Sequence, residues 1–367
     1  MELKVEQKES KILTESDLVT YDTTSYETIS IAEEKLTSSI VSVTSEKVPK
    51  VYFLEGYSEF SLSQNMNYLN MYLANEVNEI DTLNILSAGK VPEDCDTLVV
   101  TTPNRDFDEI ATTAITEYIQ AGKNILWLNA AVTSKKDMPN VNKILAMYGV
   151  KPFEIGIIRE TDADKMITGS PDLILPEIEN ATITEDLYHT TGVIFINATK
   201  VNIEEEKLEE LKVEETDLLL ASENSYFRSN FNIQSDGVKE NEEKGTFVVG
   251  AQLEKTVKEA NEENGESAIT SKLVIFGENY FVSDYPLNQT SQYAAIQLAS
   301  YNKDLILNSI AYLVDREEDI TARKDTGTVT YTATEAQDTI IKIIIFAVPI
   351  IIIIVGIVVW QIRRRKK

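Results

Sequence analysis

Between Val51 and Gly149 the apolar pattern changes period again and again, and few folds can accommodate that. "VYFL" (51–54) is a short continuous apolar run closed by Glu-Gly, which reads as a buried strand. Leu62, Met66, Leu69, Leu73 and Val77 then recur at helical spacing and form one stripe. "EIDTLNI" (79–85) and "DTLVVTTP" (96–103) read as two further strands, the second stopped by Pro103. Ile110, Ala114, Ile115 and Tyr118 mark a helix that Gly122 ends. "NILWLNA" (124–130) is a fourth strand, and Val141, Ile144, Leu145 and Tyr148 give a short amphipathic helix before Gly149. Strands alternating with helices of this length predict an α/β fold with a doubly wound, mostly parallel sheet. "KLVIFGENYF" (272–281), with a helix on Ile306, Ile310 and Leu313, completes the sheet after an interruption.

That interruption, residues 151–266, reads as a β-rich acidic insertion with short apolar pieces such as "GVIFINATK" (192–200) and "TDLLLAS" (216–222). Its stretch "NIEEEKLEELKVEETD" (202–217) holds eight acids against two lysines, the signature of a solvated loop or face. The expected organisation is a strand and helix segment over 1–48, the first part of the sheet domain over 49–150, the insertion over 151–266 and completion of the sheet over 267–320. A linker over 321–342, an apolar span over 343–362 and a basic tail over 363–367 follow.

From Ile343 to Ile362 no residue is charged, and those 20 positions make a helix roughly 30 Å long, the thickness of a bilayer core. Trp360 sits where an interfacial ring lies, and Arg363, Arg364, Arg365, Lys366 and Lys367 follow. The span reads as a transmembrane helix contacting the lipid bilayer, its tail cytoplasmic and the domain before it extracytoplasmic. "MELKVEQKESKILTESDLVTYD", at the start, contains no apolar run that would export the domain, so an additional membrane segment upstream of Met1 is expected.

The chain has 34 basic and 60 acidic residues; with the five tail charges set aside, 29 face 60, a net of about −31. That excludes nucleic acid as a partner, since phosphate binding needs a basic face. A single cysteine, Cys95, rules out an internal disulfide, and a single histidine, His189, rules out a multi-histidine metal site; no cofactor is expected.

Catalytic arrangements fail one by one. "GTFVVGAQ" (245–252) has the glycine spacing of a P-loop, but Ala251 and Gln252 stand where Lys and Ser or Thr must reach phosphate and magnesium, so it reads as a strand. Cys95 lies before its strand, in "PEDCD", where acidic neighbours raise a thiol pKa, and His189 has no nucleophile in a recognisable motif. Catalytic residues are therefore expected to be absent. What remains is the edge formed by the strands' C-terminal ends, the usual ligand crevice of an open α/β sheet. Its candidate residues are Glu55, Gly56, Glu59, Asn104, Arg105, Asn129, Glu278 and Asn279.

Four segments carry a family resemblance: "KVYFLEGYSEFSLS", "VPEDCDTLVVTTPNRDFDEIATTAITEYIQAGKNILWLNA", "KLVIFGENYFVSD" and "NKDLILNSIAYLVDREEDI". Together they resemble the gliding-motility-type auxiliary components of ABC-2 type transporters, from about Val51 to Ile320. The resemblance implies a domain similar in fold to class I glutamine amidotransferases without their catalytic cysteine. It also implies two partners, an ABC-2 permease and the separate ATPase subunit that binds nucleotide. Anchors at both ends of the domain are usual in such proteins. The function expected on these grounds is that of a non-enzymatic, membrane-anchored auxiliary subunit that assists substrate reception or gating. Two alternatives stand beside it: a stand-alone cell-surface binding or scaffold module, and a degenerate amidotransferase-like hydrolase.

Overall fold

The structure, a computed structural model, describes residues 48–317 apart from 77, 133, 135–136, 189, 191, 231–236, 262–264, 287–293 and 299, together with scattered positions between 2 and 43. His189 and the expected linker, transmembrane span and basic tail (321–342, 343–362 and 363–367) lie outside the described residues. Among the described residues, no helix is long and apolar enough to cross a membrane.

The chain enters the sheet through β1 (Lys50–Leu54) and returns through a short turn of helix (Leu62–Asn65) and α1 (Asn67–Asn75) to β2 (Glu79–Leu83). β3 (Thr97–Thr101), α2 (Glu109–Gln120), β4 (Asn124–Leu128) and α3 (Pro139–Ala146) follow. The stretch expected as an insertion supplies β5 (Ile157–Arg159), β6 (Glu177–Ile178), α4 (Glu205–Leu211), β7 (Val213–Leu220), β8 (Tyr226–Arg228), β9 (Glu243–Lys244) and β10 (Val248–Lys258). β11 (Ile269–Phe276) and α5 (Ser300–Leu313) complete the order.

The main sheet has eight strands in the order β6-β7-β10-β11-β4-β3-β1-β2. β2, β1, β3, β4 and β11 run parallel, while β10, β7 and β6 extend the sheet antiparallel beyond β11. The long strands of the 151–266 stretch therefore hydrogen-bond directly into the main sheet. β5, β8 and β9 form a separate three-stranded sheet. The would-be P-loop at 245–252 leads into β10, with Phe247 buried, as the sequence indicates.

Alternation along each parallel strand sorts its residues to two faces. Val51, Phe53, Val99, Leu126, Val274 and Phe276 join the core under α1 and α5. Tyr52, Leu98, Val100, Ile125, Trp127 and Ile275 join the core under α2 and α3. Each fully buried Leu, Ile, Val or Phe contributes about 1.5–3 kcal/mol relative to exposure, so neither face could be left to water.

At the N-terminal edge of the sheet, the last carbonyls of α5 are held by buried side chains. Asn124 Nδ2 donates to Leu313 O at 2.6 Å and Thr97 Oγ1 donates to the same oxygen at 3.3 Å, while Lys272 Nζ reaches Tyr312 O at 3.2 Å. Asn124 Oδ1 also accepts from Lys272 N at 2.8 Å, so this one amide joins β4, β11 and α5. Asn124→Ala strips two hydrogen bonds, one buried and one partly buried, and is expected to cost roughly 2–3 kcal/mol in a urea titration; a change near zero would show that the clamp is not needed.

On β7, burial first and then the neighbouring carboxyls of Asp217 and Glu205 push Glu215 up to about 7. Asp217 is raised as well, chiefly by burial. A carboxyl whose folded pKa lies above its unfolded value binds its proton more tightly in the folded chain, so stability falls as pH rises from the ordinary carboxyl range through about 7. Thermal melts across that window are expected to show this slope, and Glu215→Gln to flatten it; an unchanged slope in the variant would assign it elsewhere.

Candidate functional site

The strand order β2-β1-β3-β4-β11 reverses direction between β1 and β3, and in open α/β sheets ligands bind outside the C-terminal ends of the strands near such a point. The loops that leave β1 and β3 there are stitched together. Asn104 N donates to Tyr57 O at 2.7 Å, Asn104 Nδ2 to Glu59 Oε1 at 3.1 Å, and Arg105 Nε to Gly56 O at 2.7 Å. The Arg105 guanidinium lies 4.8 Å from the centroid of the buried Tyr57 ring. Gly56 sits at φ +91°, where a side chain is strained, and it lets the turn present its carbonyl to that arginine. Tyr57 in turn donates a short hydrogen bond from its hydroxyl to Asp108 Oδ2. Five of the residues expected in the crevice, Glu55, Gly56, Glu59, Asn104 and Arg105, are thus on these two loops, with Glu55 N tied to Leu83 O at 2.9 Å.

The other three lie on the far side of the switch. Asn129 follows β4 and its backbone N–H donates to Phe276 O at 2.8 Å. Asn279 Nδ2 donates to Thr102 Oγ1 at 2.8 Å, and Asn279 Oδ1 is buried without a hydrogen-bond partner. Glu278 is wholly buried; its two carboxylate oxygens accept from the N–H groups of Tyr280 (2.6 Å) and Phe281 (2.7 Å). Burial drives its pKa well above the usual carboxyl range, with those backbone bonds opposing. Next to it Gly277 admits a close crossing, since a Cβ there would meet the carbonyl oxygen of Thr199 at 1.9 Å.

A cavity of about 340 Å³ opens at the ends of β3 and β4. Thr102 and Pro103 line it from the end of β3, Asn129–Val132 and Ser134 from the stretch after β4, Asp137, Met138, Val141 and Asn142 from the α3 region, and Pro152, Phe153 and Ile155 from the stretch after α3. Of the residues expected in the crevice, Asn129 alone is in this lining. The walls from 138–142 and 152–155 were not legible, because their approach depends on how α3 packs against the sheet.

The N-termini of α1, α2 and α3 on this edge are each capped by a carboxylate of the chain. Asp284 accepts from Asn67 N (2.8 Å) and Tyr68 N (3.1 Å) at the start of α1. Asp108 accepts from Ala111 N (2.9 Å) in α2, and Asp106 from Val141 N (3.0 Å) and Asn140 N (3.1 Å) in α3. Glu278 serves the short helical turn Tyr280–Val282 in the same way. Burial lifts the Asp108 carboxyl, but hydrogen bonds from Tyr57, Ala111 and Ile110 outweigh it and hold the group below its ordinary value. These caps offset the partial positive charge that doubly wound folds otherwise offer to phosphate.

Residues 48–153 match the family described as an ABC-type uncharacterized transport system. The resemblance read from the sequence is borne out over β1–β4 and α1–α3, and the matched stretch includes all of the cavity lining except Ile155. No curated protein matches the chain. Among solved structures, it is similar to the mmIFT52 N-terminal domain at 14% identity and TM-score 0.47, over 76% of this chain and 100% of that one. It is also similar to a ThuA-like protein of Bacteroides uniformis, at 11% identity and TM-score 0.40, over 76% and 96% of the two chains. A second ThuA-like protein, from Parabacteroides merdae, is similar at 10% identity and TM-score 0.33, over 79% and 94%.

Cys95 is placed at the opposite edge, just before β3, fully buried and 3.3 Å from the hydroxyl of Tyr118. Burial, helped by the charge of Asp96, pushes its thiol up to about 12 against that hydrogen bond. A thiol so placed holds almost no thiolate at neutral pH. The folded chain is expected to resist iodoacetamide at pH 8 and to be alkylated once unfolded in guanidinium; rapid labelling of the folded chain would contradict the burial of Cys95.

Proposed function

We propose that the chain is a non-enzymatic auxiliary subunit of an ABC-2 type transport system, with its α/β domain held outside the membrane to receive or gate substrate. The observation that carries this reading is the family match over residues 48–153; the entry to β1 and the exit from α5 agree with it. Pro49 O accepts from Glu79 N at 2.9 Å as the chain enters β1, and Arg316 NH1 donates to Glu76 O at 3.3 Å as it leaves α5. Both connections are therefore at the N-terminal edge of the sheet, and the cavity is at the other. The carboxylate caps on α1, α2 and α3 agree with nucleotide binding by a separate ATPase subunit rather than at these helix ends.

Tagged full-length protein, extracted in mild detergent, is expected to bring down a permease and its ATPase. If it brings down neither, and the protein truncated before residue 321 complements a deletion strain fully, the transporter reading falls.

A further inference from the structure

The two loops that meet where the strand order reverses carry a cation and an anion that are held in place but not paired. Arg105 is fixed twice, by Nε donating to Gly56 O at 2.7 Å and by its guanidinium lying 4.8 Å from the centroid of the buried Tyr57 ring. Glu59 is fixed through Oε1, which accepts from Asn104 Nδ2 at 3.1 Å. Among the described residues, NH1 and NH2 of Arg105 and Oε2 of Glu59 have no hydrogen-bond or ion-pair partner. Both side chains are exposed. Arg159 and Arg228, by contrast, are matched with carboxylates of the chain, Asp172 and Glu242, each at 2.6 Å. A guanidinium whose Nε is occupied still offers a flat NH1–NH2 edge that fits one carboxylate bidentately. Because Arg105 and Glu59 are already immobilised, engaging them costs a partner little rotamer entropy.

Aromatic surface lies beside the pair. Phe60 follows Glu59, and its ring packs edge-on against Tyr280 (centroids 5.3 Å apart) and Tyr285 (5.8 Å), which lie 5.9 Å from each other. Asn65 Nδ2 donates to the Tyr285 hydroxyl at 2.9 Å, and the Tyr285 side chain is 46% exposed. Burial first, then the charges of Glu278, Tyr285 and Glu59, raise the Tyr280 hydroxyl, so Glu59 is within electrostatic reach of this ring. Tyrosine, phenylalanine and arginine gathered on one rim are the composition of an interface centre.

Charge decides what such a rim fits. A free anion would meet Arg105 among the carboxyls of Glu55, Glu59, Asp106 and Asp108 on the same two loops, in a chain of net charge −26, and one exposed arginine holds it weakly. A wholly acidic protein surface would be opposed by Glu59, and a wholly basic one by Arg105. The surface that carries the opposite of each is this same rim turned about a two-fold axis, because in an isologous contact residue i of one copy meets j of the other and j meets i.

We propose that the rim formed by Arg105, Glu59, Phe60, Tyr280 and Tyr285 is the contact surface of a symmetric dimer of this chain, with two Arg105–Glu59 pairs across the axis. The dimer needs no other protein and stands apart from the transporter reading.

The test is the mass of the full-length chain in mild detergent, read by light scattering on a sizing column at about 0.15 M salt, where charges more than roughly 8 Å apart are screened. The parent is expected to be a dimer at micromolar concentration. Arg105→Glu and Glu59→Arg each set like charges against each other twice and should raise the dimer dissociation constant about hundredfold. An equimolar mixture of the two variants restores opposite charge in both pairs and should form a heterodimer. Tyr285→Ser, at an exposed position, leaves the charge pairs in place and should weaken the dimer about tenfold. If a charge variant melts below the parent, Tyr285→Ser decides alone. A monomeric parent, a dimer indifferent to these substitutions, or charge variants that melt like the parent and stay apart when mixed would overturn the proposal. A monomer that still brings down a permease would leave the transporter reading standing, and a dimer that brings down none would leave this one.

Discussion

Parallel strands cannot be joined by tight turns, so each of β1, β3 and β4 is followed by a crossover that begins at the same edge of the sheet. Every helix that follows a strand therefore brings its unsatisfied N–H groups to that edge. This chain answers with its own carboxylates. Asp108 and Glu278 cap locally, whereas Asp106 and Asp284 cap helices of other loops and so tie the edge together. The filling of those helix ends follows from that choice.

The elements that the sequence made legible are those whose pattern is set by burial on both faces. β1, β3 and β4 appear as apolar runs because almost every residue in them is covered, and α2 and α3 show one stripe because one side of each meets the sheet. β7 and β10 were harder to read. Their acids and lysines lie in strands that are only partly covered, and β7 follows directly on the acidic helix α4, so the whole stretch looks like solvated chain. Antiparallel addition to the sheet depends on pairing with β11, a partner that no local pattern announces.

The candidate site divides in the same way. Glu55, Gly56, Asn104 and Arg105 could be placed at the edge because the ends of their strands could be placed. The burial of Glu278 could not, since it comes from a helical turn that folds its carboxylate beneath Tyr280 and Phe281. Asp284 carried no signal at all, for its partners in α1 are more than two hundred positions away. The sequence located the edge, while long-range contacts decided which of its groups remain available.

The clamp on the last turn of α5 has a mechanical side. Asn124, Thr97 and Lys272 grip two adjacent carbonyls from three neighbouring strands, β4, β3 and β11. A pull on the chain beyond residue 317 would thus be shared among β3, β4 and β11 at once, and those strands are the middle of the sheet rather than its rim. The last turn of α5 is thus fastened to the middle of the sheet, at the edge opposite the cavity.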